Sequence, residues 1–335
     1  MPRTRAVLSR PTRQERAQQR RGLGKLSQRQ VADATRARYQ AACAWFFRWM
    51  RAWSVPFPAD PYELDDRLCQ CIDQAWEEGE SYSFIGDLLS GLGTFVPRLR
   101  HQMPAAWRLF GAWRRLELPC RAWPLTKAQV QALAYVCLDW GCWDVGLALL
   151  LAFHAVLRTH EAIDARVGQF TWSTSGLQAH LSLPETKGTA RKGAIEGVSI
   201  TCPALVACLI CMSSQLQPGD RLLRRSPAQF RSCFSKAVCM CGLEGVFKPY
   251  SCRRGGATAA FRSHGSLDYI TDRGRWGNTR TARIYINTAL ADLQSQAQSP
   301  ETNQRIECYS SALRTVVQHW LRTKWGLSGS TWTLV

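Results

Sequence analysis

The chain has 335 residues, enough for two domains with sizeable cores, and its 43 Lys and Arg against 25 Asp and Glu give a formal net charge of +18. Such a charge favours polyanionic partners, nucleic acid first and an anionic membrane second. No apolar secretory signal is found near the N-terminus, and the longest apolar run, residues 145–157, is too short to cross a bilayer. We therefore expect an intracellular protein that is neither secreted nor inserted in a membrane.

Residues 1–34 are predicted to form a disordered basic arm. Residues 1–30 contain nine basic side chains, one acidic side chain, Glu15, and few large apolar ones. A segment of this composition does not bury enough apolar surface to fold by itself. Two interpretations remain open for it, an arm that follows the DNA backbone and a solvated tail.

Residues 35–120 are predicted to form a helical N-terminal DNA-binding domain. Apolar side chains recur at helical spacing in residues 35–53, and three further helical patterns follow at roughly 62–78, 81–99 and 104–116. No strand pattern occurs before residue 120. A basic, helical domain of this kind is suited to clamping DNA.

Residues 121–300 are predicted to form a second domain that is mainly helical. A capped helix comes first and is followed by an apolar helix at 144–157. Alternating apolar and polar residues in 177–183, and a second strand pattern at 195–200, then predict a hairpin within a small three-stranded sheet. The expected fold class is therefore mainly α with a small three-stranded antiparallel sheet (α+β).

Residues 301–335 are predicted to form a C-terminal helix and tail. An amphipathic pattern covers 302–325, with Ile306, Leu313 and Trp320 on its apolar face. That face is suited either to packing on a neighbouring protomer or to packing back on its own domain.

The 14 cysteines are expected to be free thiols that pack as small apolar side chains. Two pairs have a spacing that resembles zinc ligands, Cys208 with Cys211 and Cys239 with Cys241. The first pair lies in an apolar helical pattern, no histidine is near, and no second CxxC pair follows. We therefore expect no metal site and no cofactor.

Three short motifs in the second domain carry the residues suited to chemistry on a phosphodiester. Arg158 follows the apolar helix in the run AVLRTHEAI, with the carboxylate of Glu161 three residues later. Arg253 lies at the start of a predicted helix in the run KPYSCRRGGAT, and Tyr285 comes nine residues after Trp276 in the run RWGNTRTARIY. Two guanidinium forks match the non-bridging oxygens of a phosphodiester, and a tyrosine hydroxyl is a nucleophile able to form a covalent intermediate. This ordered set resembles the active site of the tyrosine recombinases, the phage-integrase family.

The resemblance implies a tyrosine-recombinase catalytic domain and a role for each matched residue. Arg158 and Arg253 would bind the scissile phosphate, with Glu161 as a partner of Arg158. Tyr285 would attack that phosphate and form a 3′-phosphotyrosyl intermediate, so that DNA is cut and rejoined without metal or ATP.

Three further positions complete the expected site. In the family a lysine of the β-hairpin protonates the leaving group; Lys187 is the predicted donor and Lys192 is the alternative. Tyr250 stands three residues before Arg253, where the family usually has histidine, and it is a poor acid or base near neutral pH because an ordinary tyrosine has a pKa of about 10. Trp276 stands where many relatives have histidine and some have tryptophan.

The resemblance also implies partners. Family members act as four protomers on two sites in double-stranded DNA, so DNA and a homotetramer are expected. The motifs are most similar in texture to those of eukaryotic mobile-element recombinases, which implies a nuclear location. Two alternatives remain open: a domesticated DNA-binding protein with weak or no recombinase activity, which the tyrosine at position 250 favours, and a type IB topoisomerase.

Overall fold

The computed structural model describes residues 12–21, 25, 30–118, 120–184 and 195–325. The chain divides into two units, Met1–Cys120 and Arg121–Val335, each of which is described by itself. Most of the described residues are helical, and the described strands form one three-stranded antiparallel sheet. The predicted fold class, mainly α with a small sheet, is confirmed.

Every described secondary-structure element of the first unit is a helix. Its elements are α1 (Arg13–Arg21), α2 (Asp33–Ala52), α3 (Pro61–Glu77), α4 (Tyr82–Phe95), a 3₁₀ helix (Pro97–His101) and α5 (Pro104–Leu116).

Helices α2 to α5 enclose one apolar core, to which Phe46, Leu68 and Leu88 contribute fully buried side chains. The carboxylate of Asp60 accepts the backbone N–H groups of the first turn of α3 and so fixes where this helix begins. A second carboxylate, that of the buried Asp65, accepts the N–H groups of two residues in the first turn of α5 at 2.9 and 2.8 Å. The buried carboxylate of Asp65 therefore ties α5 to α3, in addition to the apolar contacts.

The arm expected to be disordered over residues 1–34 contains a helix, α1, and the structure differs from the prediction there. Thr12 and Glu15 form reciprocal bonds, with the Thr12 N–H donating to the Glu15 carboxylate and the Glu15 N–H donating to the Thr12 hydroxyl. Such a capping pair supplies partners for N–H groups that a helix start leaves free, and the Arg and Gln residues that follow are good helix formers. The composition rule for disorder takes no account of this local cap.

The second unit contains the remaining elements. They are α6 (Lys127–Asp139), α7 (Trp143–His154), α8 (Thr159–Asp164), a 3₁₀ helix (Val167–Gln169), β1 (Phe170–Trp172), β2 (Ala179–Leu183), β3 (Glu196–Ile200), α9 (Pro203–Ser213), α10 (Pro227–Met240), α11 (Ser251–His264), α12 (Leu267–Arg273), α13 (Thr279–Tyr285), α14 (Thr288–Ala297) and α15 (Pro300–Trp325).

The C-terminal helix α15 packs back on its own unit. The Ser310 hydroxyl donates to the side-chain oxygen of Gln131 on α6 at 2.7 Å, and this bond is buried. The rings of Tyr135 and Tyr309 lie 5.4 Å apart in the same interface. Of the two arrangements open to the amphipathic pattern, the structure therefore has the one within the chain.

The sheet pairs β1 with β2 and β2 with β3, both antiparallel. Leu181 in the central strand lies opposite Phe170 and Val198, and all three side chains are buried. Strand β2 begins two residues later than the predicted 177, because residues 173–178 form a turn closed by the Ser173 N–H donating to the Gln178 carbonyl at 2.9 Å. The predicted turn between the strands of the hairpin lies outside the described residues.

Helix α7 is the apolar helix expected at 144–157, but it ends at His154. Val156 has a positive φ of 50°, a backbone conformation that stops a right-handed helix and that β-branched residues rarely adopt. None of the helices in the described ranges is both long and apolar enough to span a membrane.

Candidate active site

Helix α11 is held unusually close to the core of the second unit by two glycines. A Cβ on Gly255 would lie 1.9 Å from the Leu125 carbonyl oxygen, and one on Gly256 would lie 2.0 Å from that of Phe153. Only glycine fits where two backbones approach so closely. This approach places Arg253, on the first turn of α11, inside the unit, where it is 1% exposed.

Two backbone carbonyls fix the guanidinium of Arg253. Nη1 donates to the Val156 carbonyl at 2.5 Å and Nη2 donates to the Gly274 carbonyl at 2.6 Å. Burial, followed by the charges of Arg275 and Arg158, lowers the pKa of Arg253 to about 10, so the group remains charged at neutral pH. A guanidinium has five N–H groups, and these two bonds leave three for another acceptor.

Aromatic rings surround the Arg253 guanidinium. Its Cζ lies 4.8 Å from the Trp276 ring centroid and 5.6 Å from that of Tyr285, within the range of cation–π attraction. The Trp276 and Tyr285 rings are 4.5 Å apart, and the Tyr250 and Tyr285 rings are 5.8 Å apart. Four of the six sequence-predicted site residues, Tyr250, Arg253, Trp276 and Tyr285, therefore form one cluster.

Tyr285 is the last residue of α13, and two asparagines define this short helix. The Asn278 side chain accepts the Thr281 N–H at 2.8 Å and caps its start, while the Asn287 side chain caps the helix that follows. The chain therefore turns directly after Tyr285, which leaves this side chain half-buried at the end of α13 rather than in the middle of a helix.

Tyr250 is a hydrogen-bonding neighbour of Tyr285. Burial raises the pKa of Tyr250 well above its ordinary value, and a hydrogen bond with Tyr285 and the repulsion between their charged forms raise it further. Tyr250 is therefore a neutral hydroxyl across the physiological pH range. It is able to donate a hydrogen bond, as the sequence suggested, and is unable to act as a histidine would near pH 7.

Arg158 lies at the N-cap of α8 rather than at the end of the apolar helix, because α7 stops four residues earlier. Its Nη1 donates to Glu161 Oε1 at 2.6 Å, and its backbone N–H donates to Oε2 of the same carboxylate at 2.7 Å. The Arg158 side chain is 21% exposed, so part of it is open to solvent. Glu161 Oε2 also lies 3.9 Å from Arg253 Nη1, and the two predicted phosphate-binding arginines therefore share one carboxylate.

Two charged residues in the cluster were missed by the sequence reasoning, Arg275 and Glu196. Arg275 Nη2 donates to Glu161 Oε2 at 2.5 Å, and its Nε lies 3.6 Å from Glu196 Oε2. Glu196 Oε2 lies 3.9 Å from Arg158 Nη1. Burial raises the pKa of Glu161, but the Arg275 charge and the bonds from Arg158 outweigh it and hold that pKa below its ordinary value. The only signal for Arg275 in the sequence was its position directly before Trp276.

The predicted proton donor Lys187 and its alternative Lys192 both lie outside the described residues, so neither position is placed. Of the cysteines with zinc-like spacing, Cys208 and Cys211 lie on α9 and Cys239 on α10, while Cys241 is the residue after α10; Cys208 and Cys241 are buried. Within the described ranges no group of three or more His, Cys, Asp and Glu side chains is arranged to hold a metal ion.

No model of a known protein family matches this sequence, and no curated protein sequence is significantly similar to it. Solved structures are similar to it in fold. One is the Tn1549 transposon integrase in complex with a circular intermediate DNA, at 12% identity and a TM-score of 0.54 over 82% of this chain and 94% of that one. Another is a lambda integrase dimer bound to a COC′ core site, at 15% identity and a TM-score of 0.52 over 82% and 95%.

A third is a lambda integrase tetramer bound to a Holliday junction, at 15% identity and a TM-score of 0.51 over 78% of this chain and 74% of that one. These likenesses define the class of fold. The chain has the tyrosine recombinase fold, as the ordered motifs led us to expect.

Proposed function

We propose that this protein is a site-specific DNA recombinase or integrase that cuts and rejoins double-stranded DNA through a phosphotyrosyl bond on Tyr285. The observation that carries the proposal is the single cluster of Arg253, Trp276 and Tyr285, joined to Arg158 through the shared Glu161 carboxylate. These side chains come from four separate stretches of the second unit. A phosphate bound between the two arginines would lie beside the tyrosine hydroxyl.

In the proposed reaction the Tyr285 hydroxyl oxygen bonds to the scissile phosphorus while the bond to the DNA 5′ oxygen breaks. The products are a 3′-phosphotyrosyl link and a free 5′-hydroxyl, which takes a proton from Lys187, while the half-buried Tyr285 hydroxyl loses its own proton to solvent. Arg158 and the free N–H groups of Arg253 stabilise the charge that gathers on the non-bridging oxygens. Rejoining is the reverse attack by a 5′-hydroxyl, and the energy of the broken bond is kept in the link to tyrosine.

Trp276 and Tyr250 support the nucleophile. Trp276 packs on both Tyr285 and Arg253, and its Nε1 is buried without a hydrogen-bond partner, so one donor is available to a phosphate oxygen. Tyr250 donates a hydrogen bond to a phosphate oxygen or to the Tyr285 hydroxyl, which is the role that its raised pKa leaves to it. We also propose a homotetramer on two DNA sites and a nuclear location, which size measurement of the DNA complex and a fluorescent fusion would test.

The test is covalent trapping. A preferred sequence is first selected from random duplex DNA, and a nick is then placed beside the cleavage site so that the short fragment escapes. Wild-type protein should become linked to a 3′-phosphate, and mass spectrometry should find the link on Tyr285. Tyr285→Phe should bind the same DNA and form no adduct, while the control Tyr135→Phe, in the interface with α15, should form it normally.

A second candidate is a DNA-binding protein that has lost efficient chemistry, favoured by Tyr250 in place of a group that titrates near pH 7. Specific binding with no adduct would support it.

A type IB topoisomerase is the third candidate. It would form the adduct and relax supercoils without exchanging strands between two sites. An adduct on Tyr250 would contradict the assignment of the nucleophile.

A further inference from the structure

Arg275 has a backbone conformation that arginine seldom adopts. Its φ is +55°, in the left-handed region that favours glycine. The turn is nevertheless well bonded, with the Arg275 N–H donating to the Asp272 carbonyl at 2.8 Å and the Trp276 N–H donating to that of Thr271 at 2.9 Å. The reason for an arginine at this position therefore lies in the contacts of its side chain.

The side chain of Arg275 is 5% exposed and is held by two carboxylates. Nη2 donates to Glu161 Oε2 at 2.5 Å, and Nε lies 3.6 Å from Glu196 Oε2. Its Nη1 and Nε are buried without hydrogen-bond partners. The polar contacts of the Arg275 guanidinium are with these two carboxylates, so its effect on the reaction is exerted through them.

The same carboxylates contact both arginines assigned to the phosphate. Glu161 Oε1 is 2.6 Å from Arg158 Nη1, Glu161 Oε2 is 3.9 Å from Arg253 Nη1, and Glu196 Oε2 is 3.9 Å from Arg158 Nη1. Without Arg275 the two carboxylates would balance these two guanidiniums in charge. With it, among the residues that the structure describes, three guanidiniums face two carboxylates and one net positive charge remains.

We propose that Arg275 is a positioning residue for DNA cleavage, which engages Glu161 and Glu196 so that Arg158 and Arg253 keep a net positive charge for the scissile phosphate. This inference rests on the function proposed above. The members of this network are largely buried, so solvent and salt screen their charges weakly. A phosphodiester carries one negative charge, which the remaining positive charge complements.

The test first removes the positive charge of Arg275 and then restores the net positive charge of the network by removing one carboxylate. Arg275→Gly fits the left-handed backbone and deletes the charge, while Arg275→Gln deletes the charge but keeps most of the side-chain length. Both should form the Tyr285 adduct about 100-fold more slowly than wild type, the loss expected when a catalytic group is badly placed. Adding Glu196→Gln to either variant removes one carboxylate and so restores one net positive charge. The double variant should form the adduct at least about tenfold faster than the single variant.

A pH profile separates this role from a purely structural one. In Arg275→Gly the pKa of Glu161 should rise, because a main cause that lowers it is gone. Protonation of Glu161 then restores one net positive charge to the network, so the defect of the variant should shrink between pH 7.5 and pH 5.5. Arg314→Ala, which deletes a charge on α15, is the control and should match wild type at each pH.

Calorimetric titration with inorganic phosphate gives a readout that does not need DNA cleavage. Wild type should bind phosphate more tightly than Arg275→Gly, and the double variant with Glu196→Gln should recover the affinity. If wild type forms no adduct, the proposed function fails while this titration still decides the role of Arg275. Equal rates and phosphate affinities in wild type and folded Arg275→Gln, or a double variant no better than the single one, would overturn the inference.

Discussion

Replacing Arg253 with lysine should cost both activity and folding stability, and this double loss sets it apart from the other arginine of the site. The two terminal nitrogens of Arg253 donate to the Val156 and Gly274 carbonyls at 2.5 and 2.6 Å, and the residue is 1% exposed. Lysine keeps the charge but has one nitrogen, which does not reproduce a planar fork. At least one buried carbonyl loses its partner, at a cost of about 1–3 kcal/mol.

We therefore expect Arg253→Lys to lower the free energy of unfolding by about 2 kcal/mol, which in a unit of this size lowers Tm by about 4–8 °C. Cleavage should fall at least about 100-fold, as it does when one charge-stabilising donor is removed. Scanning calorimetry of the full chain and the rate of adduct formation on nicked DNA measure the two effects.

Arg158→Lys is the matched control for stability. The Arg158 side chain is 21% exposed and contacts two carboxylates, those of Glu161 and Glu196. A lysine is also able to form ion pairs with them. Cleavage should fall to a similar extent, while Tm should change by less than half as much as in Arg253→Lys. Equal Tm values for the two variants would show that the buried carbonyl bonds of Arg253 add no stability, and full cleavage by Arg253→Lys would refute its place in the site.

Two further predictions concern neighbouring residues. Tyr250→Phe should still form the adduct on Tyr285 but about three- to tenfold more slowly, as expected for loss of one neutral hydrogen bond, and a rate equal to that of Tyr285→Phe would instead make Tyr250 essential. For the half-buried His154, burial, followed by the charges of Lys127 and Arg273, lowers the pKa to about 4, against 6.5 as the ordinary value. The unfolded chain therefore takes up the proton first, and the urea midpoint of unfolding should fall as pH drops from about 6.5 towards 4. His154→Gln should flatten that dependence, and an unchanged slope in this variant would assign it to other groups.

Much of the fold followed from the sequence because its signals are local. Amphipathic spacing over 35–53 and 104–116 corresponds to α2 and α5, and a Thr126 cap begins α6 where it was expected. The alternation of apolar and polar residues predicted the bounds of β2 and β3 to within two residues. The site motifs also lie on helix ends and turns, where Pro, Asn and Gly mark the chain path.

Other features depend on contacts that no local pattern encodes. Helix α15 packs on its own unit because its side chains complement those of α6 and α7. The Ser310 bond to Gln131, for example, joins residues that are 179 positions apart along the chain. The Thr12 and Glu15 cap shows the opposite case, in which a local pairing produced a helix inside a segment whose composition indicated disorder.

The clearest failures of sequence reasoning fall at the site itself, and they share one physical cause. Val156 and Arg275 both have positive φ, a conformation that local propensity assigns to glycine. At Val156 this turn ends α7 early and aims a carbonyl at Arg253 Nη1. At Arg275 it follows the Gly274 carbonyl that binds Arg253 Nη2, and it directs a third guanidinium to Glu161. Backbone strain of this kind persists only where the surrounding contacts hold it, and such residues cluster at functional sites. Two strained residues on separate segments, both next to the same buried arginine, therefore support Arg253 as the centre of the site independently of any sequence motif.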